Sequence, residues 1–308
     1  MTTNTTNTNT NTNTRTKTNT NTNNTTDTNA GTPSRTGPSR IPVQATRVAA
    51  PSLGPERGPS FGRLARSEWT KLRSLRSTWW SLALAALIGI GFAIGAAVSL
   101  NSGAVRSVSG EALPEDDVFT VLGTIGVIAL VLGVLGALQM SSEYASGTIS
   151  VSLTAVPKRR PLLVAKAAVL VAVVAPLSLA VSAGALVIGD AIIEGGLPFS
   201  WPAVLGNTAY LTAVAVLGLS LATLTRSTAA AIAVLVAMVF ILPPLLPALP
   251  GNWPETIADF LPSGAQDSLI RTVPGTAPIS DVAAVRTLVA WTLLPLTAGA
   301  ILLTRRDA

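Results

Sequence analysis

Six stretches of this chain are apolar for longer than a soluble fold needs. They run over about 79–100, 118–140, 162–189, 203–224, 229–249 and 284–303. A 23-residue helix is about 34 Å long, against a bilayer hydrocarbon core of about 30 Å. Between Val118 and Leu138, 13 residues are Val, Ile, Leu or Phe and none is charged. At about −0.3 to −0.6 kcal/mol each, insertion of that stretch is favoured by about 4 to 8 kcal/mol. A core helix of a soluble protein is shorter and keeps a polar face. Charged residues are 12% of the chain, half the usual share of about 25%. The sequence therefore predicts an all-α integral membrane protein with six transmembrane helices. Pro243, Pro244, Pro247 and Pro250 follow the fifth run. That helix is either short or continues as a kinked segment buried against neighbours. Pro176 and Pro295 invite kinks in two other spans.

The first 60 residues are of another kind. Thr and Asn fill 25 of the first 30 positions, and Pro and Gly dominate up to Ser60. With no apolar period, this segment buries too little to offset its ordering entropy and reads as a disordered cytoplasmic tail. It lacks the apolar core of a signal peptide, since the first apolar run begins near residue 79. Residues 61–78 then predict a basic amphipathic helix. Phe61, Leu64, Trp69, Leu72, Leu75 and Trp79 recur at spacings of 3 to 5 near one face, and Arg63, Arg66, Lys71, Arg73 and Arg76 fill the rest. A surface helix of a soluble domain could look the same. The apolar run that follows without a linker favours a helix lying in the membrane interface, with Trp at headgroup depth.

Net charge is +6, which could suggest nucleic acid, but the distribution points elsewhere. Of 21 Lys and Arg residues, 18 fall on one side of the six spans: the N-terminal segment, the 158–166 loop, Arg226 and the tail at Arg305 and Arg306. Arg106, Arg271 and Arg286 fall on the other, together with 10 of 15 acidic residues. The positive-inside rule places the first side, and with it both termini, in the cytoplasm. No nucleic-acid partner is expected, because the basic residues of the tail lack interleaved aromatics.

The absences exclude several chemistries. Cys is 0 and no His appears either, so there is no disulfide framework, no Cys or His zinc site and no histidine base for a nucleophile. No Asp, Glu, Lys or Arg lies near the middle of a span, which argues against ion- or proton-coupled transport. The four lysines follow Thr16, Thr70, Pro157 and Ala165, never Gly, so no P-loop is present and nucleotide chemistry belongs to another chain. Small residues are plentiful instead. Gly91 and Gly95 form a GxxxG, and Gly123, Gly126, Gly133 and Gly136 recur in the second span; they read as close-packing positions.

The loop after the second span, SSEYASGTISVSLTAVPKRR from Ser141 to Arg160, carries the most distinctive text. A carboxylate and Gly-Thr precede an apolar stripe (Ile149, Val151, Leu153, Val156), then Pro157 and three basic residues. Such an element either docks a partner or anchors itself in the interface, and pattern alone leaves both open.

Taken with EWTKLRSLRSTWW (Glu68 to Trp80) and LPSGA (Leu261 to Ala265), this loop resembles the ABC-2 type permeases of bacterial ATP-binding-cassette exporters. The resemblance covers roughly residues 61–308. It implies an elbow helix at 61–78 containing Glu68, Trp69, Lys71, Leu72, Arg73 and Arg76, and a six-helix permease domain at 79–308. It also implies an ATPase-coupling loop at about 141–160. There Glu143, Gly147 and Thr148 match E-x-x-x-G-T around Tyr144, and Pro157, Arg160 and Lys166 match the closing P…R…K. The 243–283 segment would hold short re-entrant helices outside. Relatives are multi-pass subunits of the bacterial plasma membrane that dimerise with a second copy or a paralogue. A separate ABC ATPase binds ATP and Mg, so no cofactor is expected on this chain. The implied function is export of an unidentified substrate. The alternatives are an ATP-independent channel or facilitator, and a membrane scaffold or sensor. A membrane enzyme is less favoured, because Glu111, Glu115, Asp116 and Asp117 read as solvated loop charges.

Overall fold

The second span is not one rod. In the computed structural model, which describes residues 60–103, 116–145, 159–251 and 253–305, it divides at Gly126–Val127 into two helices. In chain order, the helices are α1 (Phe61–Ser74), α2 (Arg76–Asn101), α3 (Asp117–Ile125), α4 (Ile128–Ala145), α5 (Arg159–Ile192), α6 (Trp201–Thr225), α7 (Thr228–Val236), α8 (Leu242–Leu245), α9 (Trp253–Asp259), α10 (Pro262–Ile270) and α11 (Asp281–Arg305). Among the described residues there is no strand, and six helical segments are long and apolar enough to cross a membrane. The tail over 1–59, where disorder is expected, lies outside the described residues.

α6 is the hub. Ser200 caps it, its hydroxyl accepting from the Ala203 amide, and Pro202 occupies the first turn, where no backbone donor is lost. It packs against α4, α5, α10 and α11. Two thirds of its most apolar window is buried, against 17% for the fifth and sixth spans. Gly133 and Gly136 of α4 and Gly218 of α6 let the two backbones touch: a Cβ at 136 would strike the Ala215 carbonyl, and one at 218 the Gly133 carbonyl. The GxxxG at Gly91 and Gly95 has nothing within 4 Å, so its glycines face no partner among the described residues. α6 closes on Arg226 in the left-handed region (φ 53°), and Ser227 at once caps α7, accepting from the Ala230 amide.

Three expectations need amendment. The amphipathic helix ends at Ser74, because Leu75 is extended (φ −82°, ψ 111°), and Arg76 therefore belongs to the first turn of α2. Toward the bundle the amphipathic helix turns Leu64, Glu68 and Leu72, while Phe61, Trp69, Leu75 and Trp79 are exposed. The fifth span is continuous but irregular. α7 passes through a π-helical turn (Ala237–Ile241) into α8 and a 3-10 turn (Leu246–Ala248) around the prolines, with little burial. Last, Asp116 is buried rather than solvated. It caps α3 by accepting from the Phe119 amide, and also accepts from the Thr272 amide (2.6 Å), the Thr272 hydroxyl (2.9 Å) and the Val273 amide (3.3 Å). Glu111 and Glu115 lie outside the described residues.

That clamp helps seat α10 in the bundle. Gln266 of α10 donates to the Asn207 carbonyl oxygen (2.8 Å), and Asn207 donates to the Ser182 hydroxyl (2.9 Å), all three side chains being buried. The Gln266 amide nitrogen lies 2.7 Å from where a Cβ at residue 126 would stand, so a side chain there would have to displace it. One residue on, burial pushes the Asp267 carboxyl up to about 6, Arg271 opposing and Asp259 adding to the effect.

Gly136→Ala drives a methyl into a backbone carbonyl and is expected to cost about 1–3 kcal/mol, whereas Gly91→Ala leaves the melting temperature of detergent-purified protein unchanged or slightly higher. Equal melts for the two variants would refute the α4–α6 contact. Asp267 holds its proton more tightly folded than unfolded. Its contribution to stability is full below about pH 4 and is lost as pH rises through about 6. Asp267→Asn is expected to flatten the fall in Tm between pH 5 and 7.5 and to raise Tm at the upper value; an unchanged slope counts against that environment.

Candidate functional site

A lysine inside an apolar run demands a counter-charge, and Lys166 sits in the text LLVAKAAVL. It lies near the start of α5 and is 1% exposed. Its ammonium donates to Glu68 Oε2 of α1 at 2.5 Å and to Glu143 Oε1 of α4 at 2.8 Å. Lys71, three residues after Glu68 on α1, donates to Glu68 Oε1 (2.7 Å) and to the same Glu143 oxygen (3.0 Å). Among the described residues, two carboxylates and two ammoniums thus alternate in a ring of four ion pairs, the tetrad. It joins the amphipathic helix, the last turn of the second span and the start of the third.

Each position follows from helical geometry. Leu64, Glu68 and Leu72 are spaced by four, so one face of α1 presents Glu68 between two leucines. Those leucines are buried and shield the pair from water. Lys71, on the flank, stays half exposed, its side chain 46% accessible. Burial pulls its ammonium down, but hydrogen bonds and Coulombic attraction from Glu68 and Glu143 outweigh that and hold it above the usual lysine value. Ion pairs so enclosed are a poor source of net stability, yet breaking one partner is costly. Their effect is to fix three helix ends in one geometry.

The tetrad gathers Glu68, Lys71 and Glu143 from two segments singled out in the sequence. It adds Lys166, which matched only the closing motif of the loop; its apolar flanks were the available signal. Tyr144, next to Glu143, lies under the Arg226 guanidinium at 5.8 Å, which ties the α6–α7 turn to the same end. Trp69, Arg73, Arg76 and Arg160 are exposed at this end, and Leu72 is buried. Gly147, Thr148 and Pro157 lie outside the described residues.

A second feature is apolar. A cavity of about 460 Å³ lies between α5, α6 and α11, lined by Val171, Leu205, Thr212, Val216, Leu288 and Thr292 among others. No charged residue lines it. Thr208 and Thr292 turn their hydroxyls to their own helix carbonyls, leaving methyl groups for the cavity. Among the described residues, no cluster of carboxylates could hold a metal ion.

The family model described as ABC-2 family transporter protein matches residues 63–308. No curated protein matches the chain.

Lys166→Met leaves Glu68 and Glu143 sharing one half-exposed lysine and is expected to destabilise the protein by about 3–5 kcal/mol. Glu68→Gln combined with Lys166→Met keeps the Lys71–Glu143 pair and should recover much of that loss. Thermal unfolding in detergent checks both; a double variant no more stable than Lys166→Met would refute the closed tetrad.

Proposed function

The chain belongs to the ABC-2 family of transporter proteins, and on that premise we propose that it exports a substrate using ATP hydrolysed by a separate ATPase chain. It is a multi-pass transmembrane permease with six apolar helices. The observation that carries the proposal is the tetrad, a rigid charged joint at one end of a bundle whose spans hold no ionisable group at mid-depth.

The basic balance of the loops favours a cytoplasmic position for the tetrad end, in the bacterial plasma membrane. There the 146–158 segment would meet the ATPase, which holds ATP and Mg. ATP binding draws two ATPases together, and the displacement reaches the permease through that segment. It leaves α4 and enters α5, and Glu143 and Lys166 link those helices to each other and to α1. A push on the segment therefore moves three helix ends as one body, and the spans alternate their exposure. A second permease, either another copy or a paralogue, completes the path. The sparsely buried fifth and sixth spans offer it surface.

The test uses the full chain, purified from its native membranes in mild detergent. An ATPase with a Walker-A motif is expected to co-purify, and ATP hydrolysis is expected to be coupled to the permease. Glu143→Gln should weaken that coupling while the complex still assembles. Recovery of the chain without any ATPase, or solute flux in proteoliposomes containing this chain alone, would overturn the proposal in favour of a channel.

A further inference from the structure

α1 divides its charges between two jobs. Its one carboxylate, Glu68, and its one lysine are used inside the tetrad. Its arginines are not. Arg63, Arg66 and Arg73 are exposed, and among the described residues none of them has an acidic partner. They lie at spacings of three and seven, which places them along one strip of the helix. Arg76 is exposed at the start of α2, just beyond the break.

Near the strip stand aromatic rings that the protein covers only in part. Trp69, Trp79 and Trp80 are 43%, 56% and 76% exposed, and the Trp79 indole donates to the Arg73 carbonyl at 3.1 Å, which holds that ring against the end of α1. Three indoles facing bulk water would be costly. At the boundary of a bilayer, where their apolar faces and N–H groups are both satisfied, they are favoured. Arginines at that depth meet the phosphate layer. Their planar forks bind phosphate oxygens bidentately, and among the described residues no neighbouring carboxylate competes, because Glu68 is sequestered by Lys166.

We propose that Arg63, Arg66 and Arg73 form a binding surface for the headgroups of anionic phospholipids in the leaflet nearest α1. The tetrad creates this selectivity by removing the only negative charge of the helix from its surface. The proposal rests on the membrane orientation adopted above, but lipid binding is measured on this chain alone, so its outcome is independent of any ATPase.

The experiment reconstitutes the full chain in nanodiscs of equimolar phosphatidylglycerol and phosphatidylcholine and counts the lipids retained on the protein by native mass spectrometry. Wild type is expected to retain phosphatidylglycerol preferentially, and less so as salt is raised. Arg63→Gln/Arg66→Gln/Arg73→Gln should lower the ratio of retained phosphatidylglycerol to phosphatidylcholine by roughly an order of magnitude. Its Tm in phosphatidylcholine should stay unchanged, which shows that the fold is intact. The matching Lys substitutions should keep part of the preference. Equal retention of both lipids by wild type, or an unchanged ratio in the Gln variant, would overturn the proposal. So would a Gln variant that keeps its lipid ratio but no longer holds a co-purifying protein, since the strip would then serve that partner.

Discussion

Hydrocarbon tolerates no unmatched charge. Removing an ion from water costs several kcal/mol even after relaxation, and at the edge of a bilayer the cost is only partly relieved. Lys166 lies at such an edge and is matched by two carboxylates. Glu68 can reach it only if α1 lies across the start of α5. Glu143 can reach it only if the second span ends beside the third. The demand of one ammonium for counter-charge thus determines where three helices meet, and the apolar packing of α4 on α6 extends from that junction.

The same constraint acts at the other end with different chemistry. There Asp116 accepts from the backbone and hydroxyl of Thr272 and from the Val273 amide, and neutral amides of Asn207 and Gln266 tie α10 to the fourth span. One end is closed by paired charges and the other by hydrogen bonds to backbone and carboxamides. Between them the core is aliphatic, with backbones brought together where glycine allows it.

How much of this was legible in the sequence follows from the physics each feature obeys. The six spans were readable because hydrophobicity summed over 20 residues is a local quantity. Their ends moved outward by a few residues, since polar residues such as Asp117 and Asp281 serve as first-turn residues of the helices they begin. The amphipathic helix was readable, but its inward face was not. Pattern groups Leu64 and Leu72 with Trp69 and gives no sign that Glu68 turns inward; it is buried with the two leucines because Lys166, 98 residues away, supplies the counter-ion. The extended Leu75 had no Pro or Gly to announce it. Pairings such as Asp116 with Thr272 depend on contacts 156 residues apart, which periodicity does not encode. The clustering of Glu143 with Glu68 is of the same long-range kind.

The division of the second span at Gly126 has a mechanical consequence. α4 is fastened at its far end to the charged joint, and α3 is fastened at its start to the Asp116 clamp. The two meet at Gly126 and Val127, where the backbone tightens to i→i−3 hydrogen bonds and the Gln266 carboxamide stands against Gly126. A stiff rod delivers any tilt undiminished from end to end. A rod whose bonding pattern changes at one turn has a place to yield, so rotation of the inner segment can be absorbed at that turn before it reaches the outer segment and its seal.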